Sequence, residues 1–179
     1  YWRDWSSDVC SSDLIDEAKI AARNAEIAAD IARRNPQGLL VIAILKGSFM
    51  FAADLMRALH HAGLMPQVEF MHLSSYRDAT ISSGQVVILK DVESDVRDRD
   101  VLLIDDILES GRTIAFAKDL LAARGARVMT CCLLEKPGKR AVSINADFVG
   151  FVIPDKFVVG YGMDVAHSYR QLPFIGVVE

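Results

Sequence analysis

The chain has 179 residues, of which 51% are hydrophobic and 25% charged, and its formal net charge is −4. That length suits one domain with a full core, and the balance excludes a disordered chain. The negative charge gives no global attraction for nucleic acid or anionic membranes, and no apolar run reaches the roughly 18–20 residues that span a bilayer.

Residues 1–14 follow neither a helical nor a strand period. Within them, DWSSDVCSSDL at 4–14 closely resembles the conceptual translation of a sequencing-library adapter. Residues 1–14 are therefore expected to be non-native and outside the fold, and 15–179 to form a single domain. From Ile15 the pattern becomes regular. Ile20, Ile27 and Ile31 share one face at helical spacing, and Asn35, Pro36 and Gly38 end that helix. The continuous apolar run 39–45 has strand length and predicts a strand buried on both faces. A helix over 49–61 closes at Gly63 and Pro66, and 68–73 reads as a strand. Residues 74–84 are polar, Ser-rich and aperiodic, followed by short strands at 86–89 and 101–104. A helix over 113–124 ends at Gly125, and strands follow at 128–134 and 148–153.

Strand and helix alternate from 39 to 134, which predicts an α/β fold with a largely parallel sheet flanked by helices. Two turns, Lys46-Gly47-Ser48 and 105–111, then fall at the carboxyl edge, where open sheets of this kind bind ligands. Cys131 and Cys132 are adjacent inside an apolar run and read as buried thiols. No segment has the layout of a signal peptide, so a soluble cytoplasmic protein is expected.

The most informative segment is VLLIDDILESGRT at 101–113. An apolar strand delivers Asp105 and Asp106, and a short turn then enters a helix. Gly111 permits a close approach or a positive φ. Ser110, Thr113 and the free amides at the helix start offer donors to a phosphate, assisted by the helix dipole. Two carboxylates would repel that phosphate unless they served another group, and ribose hydroxyls or Mg²⁺ suit them. The string lacks the glycine patterns of a P-loop or a dinucleotide fold.

This string closely resembles the phosphoribosyl-pyrophosphate (PRPP) motif of type I phosphoribosyltransferases. LKGSF at 45–49, SSYRDAT at 74–80, SSG at 82–84 and DFVGFVIPDKFVVGYGMD at 147–164, with Tyr169 and Arg170, extend the likeness. Together they resemble the hypoxanthine (hypoxanthine-guanine) phosphoribosyltransferases, from about residue 15 to 179.

The resemblance implies the type I phosphoribosyltransferase fold, with a small hood built from the chain termini. It implies purine salvage: Mg²⁺-dependent transfer of phosphoribose from PRPP to N9 of hypoxanthine or guanine, giving IMP or GMP and pyrophosphate. Asp105, Asp106, Ser110, Gly111, Arg112 and Thr113 would hold the ribose 5-phosphate. Lys46 and Gly47 would bind pyrophosphate through main-chain amides, with a non-proline cis peptide before Gly47, and Arg170 would assist them. Ser75 and Tyr76 would lie on a mobile loop over the reacting centre. Lys136 would donate to the purine 6-oxo group, Phe157 would stack on the base, and Val158 and Asp164 would present carbonyl groups to its other edge. Asp164, with Asp105 and Asp106, would hold Mg²⁺. Glu109 would take the purine N7 proton, in a position where many members of the family have Asp; Asp105 stands where Glu is common. A homodimer or homotetramer is implied, with no nucleic-acid or membrane partner. The alternatives are a regulatory RNA-binding protein of the same fold, or a phosphoribosyltransferase for another base such as xanthine, adenine or uracil.

Overall fold

The computed structural model describes residues 13–75 and 86–178. In chain order its elements are β1 (Asp13–Ile15), α1 (Glu17–Arg33), β2 (Leu40–Leu45), α2 (Phe49–His61), β3 (Gln67–Ser75), β4 (Val86–Lys90), β5 (Asp100–Leu108), α3 (Arg112–Ala123), β6 (Arg127–Glu135), β7 (Phe148–Val152), β8 (Val158–Val159) and β9 (Ile175–Val177).

Six strands form one sheet in the order β4-β3-β2-β5-β6-β7, parallel throughout except for the β3–β4 pair. Its inner strands are apolar on both faces because helices cover both. Val41 and Ala43 of β2 pack with Ile27 and Ile31 of α1 and Phe51 and Leu55 of α2. Leu40, Ile42 and Ile44 of the same strand face Ile114, Ala117 and Leu121 of α3. Full burial of an Ile or Leu stabilises by roughly 1.5–3 kcal/mol, so the two cores hold the strand ends that carry the site. Helix α1 starts at an Asp16 cap, whose carboxylate accepts the Lys19 amide at 2.8 Å, and stops before Asn35, which has a φ of 51°.

The remaining strands make a small antiparallel sheet, β1-β9-β8, that draws on both ends of the chain and forms the hood. Asp13 pairs with Gly176 there, so the described fold starts two residues ahead of the expected boundary at Ile15. These short strands carry too few residues for a period to show, which is why sequence pattern missed them.

One boundary matters for function. The sequence reading ends a strand at Ile104, whereas β5 continues to Leu108. Its parallel neighbour β6 supplies partners on both sides of Asp106, with Asp105 opposite Cys132 and Leu108 opposite Glu135. The acid pair therefore stands within a paired strand rather than on a turn.

Candidate active site

The carboxyl ends of β2, β5 and β6 open onto a cleft of about 870 Å³, which adjoins a second hollow of about 540 Å³. Lys46, Gly47, Asp106 and Glu109 line both. The smaller hollow takes in Ser110, Gly111, Arg112 and Thr113; the larger takes in Lys136, Phe157, Val158, Asp164 and Arg170. A separate, mainly apolar cavity of about 800 Å³ between α1 and α2 contains none of the expected site residues.

At the phosphate end, Gly111 adopts a φ of +80° and leads into α3. A Cβ there would meet Ile144 Cγ2 at 2.6 Å, so both conformation and space favour glycine. The first intrahelical bond runs from the Ala115 amide to the Gly111 carbonyl, leaving the amides before it without a carbonyl of the helix to reach. Asp105 and Asp106 follow one another on β5. Asp105 is 7% exposed, and its carboxylate accepts the Asp106 amide at 3.0 Å. Burial, and then the neighbouring Asp106 charge, push the Asp105 carboxyl well above the usual carboxylate range. Such a group gains from hydroxyl donors or a cation. Among the described residues, no three His, Cys, Asp or Glu side chains are grouped to hold a metal by themselves. A pair of carboxylates still fits Mg²⁺, which keeps several waters and shares substrate oxygens.

The turn after β2 leans directly on this pair, with Gly47 against the Asp106 carboxylate. The cis peptide joins Leu45 to Lys46, one bond earlier than the expected bond before Gly47. Gly162 in turn lies under the Gly47 carbonyl, where a Cβ would approach to 2.2 Å.

At the other end, Lys136 is only 6% exposed and its Nζ lies 3.6 Å from Glu109 Oε1. Lys139 approaches the same oxygen at 3.8 Å while pairing with Asp155 at 2.8 Å, a contact that raises the lysine pKa. Phe157 stands at the cleft with its side chain 56% exposed, available to stack, and is not a core residue. Val158 is buried in β8. Arg170 and Asp164 are ion-paired at 2.7 Å, and Arg170 also donates to the Gly162 carbonyl at 2.6 Å. Asp164 in addition accepts the His167 amide at 2.8 Å.

The fold thus gathers Glu109, Lys136, Phe157, Asp164, Arg170, the acid pair and both turns around one cleft. Ser75 closes β3, and neither its side chain nor Tyr76 falls within the described residues. Sequence reasoning missed Arg140, whose guanidinium donates to the Leu108 and Glu109 carbonyls, both at 2.7 Å. It also missed Lys139. Both lie in the short basic run 136–140, the one sequence signal that could have drawn attention to them.

The chain matches the family model for a phosphoribosyl transferase domain over residues 11–166. It is 42% identical to the hypoxanthine phosphoribosyltransferase of Escherichia coli strain K12, over 92% of this chain and 93% of that protein. The hypoxanthine-guanine phosphoribosyltransferase of Bacillus subtilis is also 42% identical, over 93% of this chain and 92% of its own. A bifunctional TilS/HprT protein of Listeria innocua is 45% identical over 94% of this chain, which spans 25% of that longer relative. The crystal structure of a hypoxanthine phosphoribosyltransferase from Staphylococcus aureus superposes with a TM-score of 0.91 at 37% identity, covering 100% of this chain and 97% of that one. The chain belongs to the phosphoribosyltransferase family and, within it, to the hypoxanthine phosphoribosyltransferases.

Proposed function

We propose that this enzyme transfers phosphoribose from PRPP to N9 of hypoxanthine or guanine, giving IMP or GMP and pyrophosphate. The observation that carries this reading is the arrangement of the cleft. A helix-start phosphate turn beside the buried Asp105 and the half-buried Asp106 lies at one end, and Glu109 facing Lys136 at 3.6 Å lies at the other.

In the reaction, the bond from ribose C1 to the pyrophosphate oxygen breaks as purine N9 bonds to C1, and positive charge develops along C1–O. The amides of the phosphate turn and the hydroxyls of Ser110 and Thr113 hold the 5-phosphate, while Asp105 and Asp106 accept from the ribose hydroxyls. The Lys46-Gly47 amides and Arg170 bind the departing pyrophosphate; Arg170 exchanges its present Asp164 partner for the more highly charged anion. Lys136 donates to the 6-oxo group, which favours hypoxanthine and guanine over adenine because a 6-amino group would set a donor against the buried ammonium, itself only a donor. Phe157 stacks on the base, Val158 and Asp164 offer carbonyls to its far edge, and Glu109 takes the N7 proton, a contribution of about 10²–10⁴-fold. Asp105 and Asp106, with Asp164 and substrate oxygens, would hold Mg²⁺, and the bound ion would supply positive charge to offset that of PRPP and of the leaving group.

The exposed apolar side chains Val68, Phe70, Val87 and Leu89 on β3 and the edge strand β4 support a homodimer or homotetramer, to be measured by sedimentation. No helix among the described residues is long and apolar enough to cross a membrane, in keeping with the proposed cytoplasmic location.

The decisive assay supplies PRPP and Mg²⁺ with each purine separately and follows nucleotide formation. IMP and GMP should form and AMP should not. Product with adenine or uracil alone would reassign the acceptor. RNA retention in a gel without purine-dependent pyrophosphate release would replace the enzyme reading by the binding-protein one.

A further inference from the structure

We propose that Arg140 is a positioning residue: its guanidinium fixes the main chain at Glu109 and so aims the carboxylate that takes the purine proton. The inference rests on the reading of Glu109 as the base.

Glu109 lies just beyond Leu108, the last residue of β5 to be paired with β6. There the sheet ceases to constrain the backbone, at the residue whose aim matters most. One nitrogen of Arg140, Nη1, donates to two successive carbonyls, those of Leu108 and Glu109, both at 2.7 Å. Its other terminal nitrogen, Nη2, reaches Glu135 Oε1 at 2.5 Å, on the strand end directly across the register from Leu108. The guanidinium therefore stitches the ends of β5 and β6 together beyond their last ladder bonds. The Arg140 and Glu135 side chains are 19% and 21% exposed, so this is a shielded fork rather than a solvated surface pair. A lysine ammonium cannot span two carbonyls and a carboxylate in that planar arrangement.

Both ends of Glu109 are thus held, the main chain by Arg140 and the carboxylate by Lys136 and Lys139. The phosphate turn has a separate hold. The Ala141 and Val142 amides both donate to the Ser110 carbonyl, at 2.9 and 3.2 Å. These are main-chain bonds that do not need the Arg140 side chain. Loss of the guanidinium should therefore disturb proton removal more than PRPP binding.

The test is a pair of variants crossed with the base. R140K should lower kcat by about 10–100-fold, the scale of a misplacement approaching 1 Å, while KM for PRPP stays within about twofold. In an E109Q background R140K should add little, because the carboxylate it aims has already been removed. E135Q, which weakens the same fork without touching Arg140, should show the same pattern to a smaller degree. It carries the comparison if R140K does not fold. A fall in kcat that is as large in E109Q as in the parent, or a rise in PRPP KM with kcat kept, overturns the proposal. If E109Q itself turns over at the parental rate, the base reading falls and the proposal falls with it.

Discussion

Gly47 rests against the carboxylate of Asp106 so closely that a Cβ on it would lie 1.6 Å from Asp106 Oδ2. The turn after β2 and the acid pair on β5 are therefore one packed unit, although 59 positions separate them (106 minus 47). Residues proposed for pyrophosphate and for ribose share a boundary with no room for a methyl group. Gly162 repeats the pattern on the other side, beneath the Gly47 carbonyl.

Gly47→Ala should consequently displace either the turn or Asp106. Overpacking of this kind costs about 1–3 kcal/mol of stability. Turnover should fall by about 10²-fold, since the reacting groups shift by a sizeable fraction of an ångström. Denaturant unfolding and steady-state kinetics with PRPP as the varied substrate check both. Parental kcat and KM in a stably folded Gly47→Ala variant would show that the close packing does not matter.

Glu109 and Lys136 face one another but are proposed to serve different atoms of the purine, and their variants should differ. Glu109→Gln should lower kcat by about 10²–10⁴-fold with little change in PRPP binding. Lys136→Ala should act mainly through purine recognition, raising KM for hypoxanthine and guanine. Unchanged kinetics for both purines would remove Lys136 from the base site.

Away from the cleft, Asp91 and Arg124 pair through both oxygens, at 2.9 and 2.5 Å, tying the segment after β4 to the end of α3. The Arg124 hydrogen bonds hold the Asp91 carboxyl below its usual range. A depressed pKa stabilises the fold above the unfolded-state value of about 4 and loses that contribution as pH falls through the folded-state value. Both side chains are more than a third exposed, so the pair contributes no more than about 1 kcal/mol. Asp91→Asn should reduce stability at neutral pH, and the gap to the parent should close in acid. Urea unfolding at pH 7 and near pH 3 measures it, and a gap that widens in acid contradicts the sign.

Cys131 and Cys132 are both fully buried on β6, and burial pushes both thiols far above their ordinary range. Neither can present a thiolate at neutral pH in the folded protein. Alkylation followed by peptide mass mapping should leave both unmodified in the native state and label both in denaturant. Labelling of either without unfolding would show that β6 opens locally.

The elements that carry continuous apolar runs or helical periods were readable from sequence, because burial on one or both faces imposes those periods directly on the residues. Leu40–Leu45 and Phe49–His61 follow from side-chain chemistry alone, as does the turn into α3 at Gly111. At the candidate site, the chemistry of phosphate and ribose pointed to Asp105, Asp106, Ser110, Gly111 and Thr113, whereas Lys136, Phe157, Val158, Asp164 and Arg170 were named through the family resemblance. What no local pattern could reveal was how distant segments meet. β5 reaches Leu108 because β6 lies beside it, and the hood forms because β1, β8 and β9 find one another across the chain. Gly47 must be glycine because Asp106 is there, and Arg140 acquires a role only when the ends of β5 and β6 adjoin. Composition and period are properties of a segment and can be read along it. Close contact and the aim of a carboxylate are properties of pairs, and only the folded chain decides which pairs exist.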